Sequence, residues 1–302
     1  VTAIRLAHFS DPHLSFTPRL SPAQRFSKRQ LSVWSWAKNR GKAQQGALLS
    51  ALVADVQAHA PDGVLISGDL VNFSLPGEFP AAAGWLASLG PEHSVSVVPG
   101  NHDALVAVPE EQGLGLWRRW MSNDDGRMGW PYVRERADIA LIGVNSALPT
   151  PPLLASGRIG EAQLAALEAR LRELGERGLC RVVMLHHPPA DGAIGRRKAL
   201  VDAEAFRAVI ERAGAELVLH GHSRDPRFDR LRGPKGHLPC LGLPSASAEP
   251  SAHDAGARWQ LLSLQRAGDG WRLHQAVRLW LPQQAAFVSA GTYVFALDRQ
   301  VA

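Results

Sequence analysis

Five short apolar runs, each followed at once by Asp, His or Asn, constrain this chain more than any other feature. Ile4–Phe9 leads into Ser10-Asp11-Pro12-His13, Val64-Leu65-Ile66-Ser67 into Gly68-Asp69, and Val95-Ser96-Val97-Val98 into Pro99-Gly100-Asn101-His102-Asp103. Val182-Val183-Met184-Leu185 is followed by His186-His187-Pro188-Pro189, and Leu217-Val218-Leu219 by His220-Gly221-His222. Apolar runs of this length read as buried strands. Helical stretches separate them. Residues 45–60 carry Leu49, Leu52, Val53 and Val56, and residues 161–177 carry Leu164, Leu167, Leu171 and Leu174. Residues 77–89 also read as helix, and Asp202 is placed to N-cap a further one with Phe206, Val209 and Ile210. Ile139–Val144 adds a strand, and 258–265 with 271–280 predict a meander turning near Gly268-Asp269-Gly270. This alternation predicts an α/β chain. In such sheets ligands collect beyond the carboxyl ends of the strands, so the five polar clusters are expected to converge.

Composition narrows the remainder. Of 302 residues, 45% are apolar and 20% charged, a globular balance that excludes a disordered chain. The only cysteines, Cys180 and Cys240, lie in apolar surroundings, which excludes a disulfide framework and a Cys-based zinc site. Neither uncharged stretch, 139–157 or 279–297, is continuously apolar, and the start of the chain lacks a signal-peptide pattern. A cytoplasmic protein is expected. No linker-like shift divides the sequence, which predicts one domain with a basic aromatic insertion at about 15–45.

The clusters combine carboxylate, amide oxygen and imidazole, a donor set suited to Mn, Fe or Zn rather than to a thiolate metal site. Asp-x-His alone is incidental and Gly-Asp alone is mostly a turn, whereas Gly-Asn-His-Asp and His-His-Pro-Pro after a strand are more specific. The five together, each at a strand end, are not incidental. His8 lies within the first strand and reads as a core histidine, while His59, His93, His253 and His274 carry no motif.

The order Asp-x-His, Gly-Asp, Gly-Asn-His-Asp, His-His-Pro, Gly-His resembles the calcineurin-like metallophosphoesterases, in particular the bacterial branch with class III cyclic-nucleotide phosphodiesterases. The resemblance spans Ile4 to about Pro250 and implies a four-layer αββα sandwich with two mixed sheets. It also implies two divalent or mixed-valence metal ions. Asp11, His13 and Asp69 would hold the first; Asp69 would bridge to the second, completed by Asn101, His186 and His222. His186 is preferred to His187 because the family ligand stands two residues before the proline. A hydroxide shared by the metals would attack phosphorus, His102 would protonate the leaving group, and Asp103 would orient His102.

One position departs from the family pattern. Gly-His-x-His is expected last, but the chain reads Gly221-His222-Ser223-Arg224. A guanidinium donates no lone pair to a metal, so the first site is expected to be weak and to need added metal, or else to be empty with Arg224 facing the substrate phosphate. His237 is a conceivable substitute ligand. The expected activity is that of a phosphodiesterase on a cyclic nucleotide or, alternatively, a nucleotide-linked lipid pyrophosphate. A family member that has lost catalysis and serves as a binding or scaffold protein is the rival reading.

No acidic residue occurs between Asp11 and Asp55, whereas Arg19, Arg25, Lys28, Arg29, Lys38, Arg40 and Lys42 all do, interleaved with Phe26, Trp34 and Trp36. As a helix, this segment places Phe26, Gln30, Val33, Trp34 and Ala37 on one side. The bland expectation is aromatics packed on the body and charges in water. The functional one is a cap that attracts an anionic substrate, or a peripheral contact with the inner membrane surface through 19–42. No nucleic-acid recognition motif is present, and no nucleic-acid partner is expected.

Overall fold

The computed structural model describes residues 3–37, 46–252 and 254–300. Lys38, Arg40 and Lys42 of the basic segment, and His253, lie outside the described residues. The first part of the chain forms β1 (Ile4–Phe9), α1 (Lys28–Ser35), α2 (Gly46–Ala58), β2 (Gly63–Ile66), α3 (Glu78–Leu89) and β3 (Val95–Val97). The middle forms β4 (Tyr132–Arg136), β5 (Ile139–Gly143), α4 (Glu161–Glu176), β6 (Cys180–Met184), α5 (Ala203–Ala213) and β7 (Leu217–His220). Strands β8 (Arg227–Gly233), β9 (Gly236–Gly242), β10 (Arg258–Ala267), β11 (Gly270–Leu281) and β12 (Ala286–Leu297) follow.

These strands make two six-stranded mixed sheets, ordered β12-β11-β10-β1-β2-β3 and β4-β5-β6-β7-β9-β8. Strands β1 to β3 run parallel, as do β5, β6, β7 and β9. Period-two alternation explains the layering. On β6, Cys180, Val182 and Met184 join the core shared with the first sheet, while Val183 faces the other way. Leu164, Leu167, Leu171 and Leu174 of α4 and Phe206, Val209 and Ile210 of α5 cover that outer face. Leu52 and Val56 of α2 and Phe79 and Leu86 of α3 pack with the first sheet. The result is the expected αββα sandwich. The Tyr132 hydroxyl ties the sheets together by donating to Val97 O at 2.9 Å.

Sequence reading misses β4, β8, β9 and β12. Arg134 on β4 is buried because its guanidinium donates to Ser122 O, Glu92 O and Val95 O. Edge strand β8 is studded with charge, as exposed edges are. Pro239 hides β9; the ladder to β7 begins one residue later, at Cys240. Asp202 stands at the N-cap of α5, but its carboxylate accepts from Ile159 N and Gly160 N instead of capping. Both thiols are buried.

Candidate metal centre

The ends of β1, β2, β3, β6 and β7 deliver the polar clusters to one place, and left-handed backbone aims them. Asp11 (φ 52°), His13 (φ 41°), Asp69 (φ 57°) and His222 (φ 66°) occupy a region few non-glycine residues enter. Each costs on the order of 1–3 kcal/mol, so the surroundings must hold it there. Interlocked loops do so: Asp11 N donates to Gly68 O at 2.9 Å, His13 N to Asp69 O at 3.1 Å, and His222 N to Asp11 Oδ2 at 3.0 Å. Gly68 has φ 95°, and a Cβ there would lie 2.6 Å from His186 Nδ1 and 2.8 Å from Gly100 N. Only glycine lets the β2, β3 and β6 loops approach this closely.

At the centre, His186 Nδ1 donates to Ser67 O at 2.7 Å, which turns Nε2 towards the other clusters, as a lone pair when the ring is neutral. That lone pair faces Asn101 Oδ1 at 3.2 Å and Asp69 Oδ2 at 3.5 Å, with His222 Nδ1 at 3.1 Å. A nitrogen lone pair pointed at two oxygen acceptors is repulsive unless a proton or a metal ion stands between them. Ligand bonds of about 2.1 Å put neighbouring donor atoms about 3.0–3.5 Å apart, so this set fits one metal ion. Burial, followed by the imidazoles of His187 and His186, holds the His222 pKa well below its usual value, so His222 stays neutral as a ligand must. The other set is wider: His13 Nε2 lies 3.8 Å from Asp11 Oδ1 and 3.9 Å from Asp69 Oδ2.

Around these atoms sits a supporting shell. Asp103 accepts from the backbone N–H of Asp69 (2.8 Å), Gly100 (2.8 Å) and Val71 (3.0 Å). Burial, and then the neighbouring Asp69 charge, push its pKa up to about 8, against the pull of the Gly100 and Val71 amides. His102 Nδ1 donates to Asn72 O at 2.7 Å, which fixes the orientation of the ring. His187 is buried, with Ser146 Oγ 2.8 Å from Nδ1. His8 is a core residue as expected, held between Ser67 Oγ at 2.9 Å and Gln260 Nε2 at 2.8 Å.

A family model for calcineurin-like phosphoesterases matches residues 4–225. The chain belongs to that family. It is 28% identical over 226 residues to a probable cyclic nucleotide phosphodiesterase of Synechococcus, covering 74% of this chain and 79% of that one. It is also 28% identical to the glycerophosphodiester phosphodiesterase GpdQ of Enterobacter lignolyticus, over 61% of this chain and 56% of that one. Among solved structures, a dimetal phosphatase from Danio rerio superposes with a TM-score of 0.62 at 13% identity, covering 99% of this chain and all of that one. That likeness speaks for the fold alone.

In this phosphoesterase the expected ligand positions, Asp11, His13, Asp69, Asn101, His186 and His222, all meet at one centre. Two other expectations, for Asp103 and His237, need correction. Asp103 does not orient His102: its carboxylate is turned to the backbone amides, and Asn72 O holds the imidazole instead. Arg224 is exposed, and among the described residues its side chain makes no hydrogen bond or ion pair with the site. His237 cannot substitute as a ligand. It lies exposed on β9, five residues and about 17 Å before Gly242, where β9 reaches the site end of the sheet.

Sequence reading overlooked Lys198. It lines a cavity of about 290 Å³ together with Asn101 and His102, and its charge is felt at His222. The signal was present as Arg196-Arg197-Lys198, a short basic run after the His-His-Pro-Pro turn. The aromatic insertion divides its roles. Phe26 is 94% and Trp34 64% exposed, against the expectation that they pack, whereas Trp36 meets Phe73 edge to face at 5.9 Å. Arg29 fixes α1 to the β2 loop through Phe73 O and Ser74 O, and Lys28 fixes it to Thr150 Oγ1 and Leu154 O. Helix α1 is therefore strapped across the site between two loops. Among the described residues no helix is long and apolar enough to cross a membrane.

Proposed function

We propose that this phosphoesterase is a metal-dependent phosphodiesterase acting on small phosphodiesters, with Asp11, His13, Asp69, Asn101, His186 and His222 as metal ligands and His102 as general acid. The observation that supports the reading is the convergence of His186 Nε2, Asn101 Oδ1 and Asp69 Oδ2, a donor set that one metal ion would satisfy, beside a histidine that lines a cavity. Divalent ions, when bound, supply Lewis acidity and make water a competent nucleophile near neutral pH. The chain's residues do the rest. Asp69 offers its carboxylate to both ligand sets. Lys198 attracts the phosphate. His102 is a cation when Nε2 is protonated, with Nδ1–H aimed at the Asn72 carbonyl dipole; from Nε2 it hands a proton to the leaving oxygen. Cyclic nucleotides and glycerophosphodiesters are the substrate classes named for its relatives.

The rival reading, a binding protein without catalysis, is favoured by the three-membered first ligand set and by Arg224 standing where a ligand is expected. One assay separates them. After chelation and dialysis, bis(p-nitrophenyl) phosphate hydrolysis should vanish and should return with added manganese, and Asp69→Ala should abolish the recovery. Stoichiometric metal binding without turnover would favour the binding protein.

A further inference from the structure

The cavity beside His102 has a chemistry that the metal ligands do not account for. Asn101 and His102 close one end; the walls are Leu31 and Trp36 of the α1 region, Phe73, Leu105, Leu153 and Leu154. Cations, Lys28, Arg197 and Lys198, also border it, but Lys28 is committed to Thr150 Oγ1 at 2.6 Å and Leu154 O at 2.8 Å. Its volume, about 290 Å³, matches a ring-sized group rather than a phosphate alone. A phosphate at Asn101 and His102 therefore has one ester arm directed into an apolar slot made by α1 and the 153–155 loop.

We infer that α1 and the facing 153–155 loop form a specificity pocket for an aromatic or comparably bulky apolar ester arm of the phosphodiester, with Trp36 and Leu31 as specificity-determining residues. The inference rests on the phosphodiesterase reading above and adds which arm is selected. Trp36 is anchored for this role by its edge-to-face contact with Phe73, and Arg29 and Lys28 keep the helix from swinging away. Desolvating an aromatic ring against such walls contributes to both ground-state and transition-state binding, so it appears chiefly in KM.

The test keeps the leaving group constant and varies the other arm. In p-nitrophenyl methyl phosphate and p-nitrophenyl phenyl phosphate, water adds to phosphorus and the same bond, to p-nitrophenolate, breaks. We expect kcat/KM to be at least tenfold higher for the phenyl ester. Trp36→Ala and, separately, Leu31→Ala should each erase most of that preference while leaving the methyl ester within about twofold; two variants guard against one that folds poorly. Equal kcat/KM for both esters, or equal losses on both in each variant, overturns the pocket. Failure to hydrolyse either ester refutes the phosphodiesterase reading instead. In that case, tighter binding of phenylphosphonate than methylphosphonate, lost in Trp36→Ala, still supports the slot, and equal binding overturns it.

Discussion

Asp103 Oδ2 accepts the backbone N–H of Asp69 at 2.8 Å and that of Gly100 at the same distance, so one buried carboxylate holds together the two loops that supply Asp69 and Asn101. A residue next to the proposed acid thus acts on the loops that carry the proposed ligands and not on the acid. Buried carboxylates accepting several amides are costly to disturb, because each orphaned N–H loses its partner without regaining water.

Asp103→Asn keeps the shape but turns an NH2 towards donors. It should destabilise the fold by about 3 kcal/mol and reduce metal content. In whatever variant protein folds, the pH dependence assigned to His102 should stay put, because Asn72 O still holds the ring. Denaturant unfolding with metal analysis measures the first two. A displaced pH–rate limb would return Asp103 to the role of orienting His102.

His102→Ala tests proton donation directly. Poor leaving groups need the proton and nitrophenolate does not, so kcat should fall about 10²–10³-fold on alkyl esters and less than tenfold on nitrophenyl esters. Comparable losses on both series would place His102 in binding instead.

Arg224 is exposed, whereas Lys198 lines the cavity with Asn101 and His102. Lys198→Ala should lower kcat/KM on anionic diesters by about 10–100-fold, more at low ionic strength, and Arg224→Ala should stay within about twofold. The reverse ranking would restore the role that the sequence pattern gave to Arg224.

What was legible in the sequence and what was not divides along a physical line. The convergence of the polar clusters was readable because each follows an apolar run, and the sheet topology converts that local pattern into a shared location. Adjacency to His102 in sequence says nothing of which way the buried Asp103 carboxylate turns; the backbone amides of Asp69, Val71 and Gly100 set that. Lys198 was missed because a basic run in a loop looks like any solvated surface until the fold closes it over the cavity. Strands β8 and β9 escaped because edge charges and Pro239 suppress the strand pattern, although neither disturbs the ladder they form. Trp34 and Trp36, two residues apart, could not be distinguished until α1 showed one outward and one against Phe73.

Stability should respond to acid through a histidine outside the metal centre. Gln260 Nε2 donates to His8 Nδ1, which fixes the neutral tautomer with Nε2–H donating to Ser67 Oγ. Burial, and secondarily His220, lowers the His8 pKa to about 3 in the folded chain. An unfolded histidine titrates near 6.5, at roughly the reference value. Below that pH the unfolded chain binds a proton that the folded chain refuses, so the depressed folded pKa makes stability fall as pH drops from 6.5 towards 3. Above 6.5 His8 contributes no slope. The slope in the acid window is about 1.4 kcal/mol per pH unit for this one group. His8→Gln can still donate and accept but cannot titrate. Denaturant midpoints measured from pH 8 to pH 4 should therefore fall less steeply in the variant below 6.5, with the two curves parallel above it. His220, also buried and lowered to about 4, leaves a residual slope in both proteins. Curves that stay parallel down to pH 4 would show that His8 is protonated in the folded chain, in conflict with the tautomer fixed by Gln260 and Ser67.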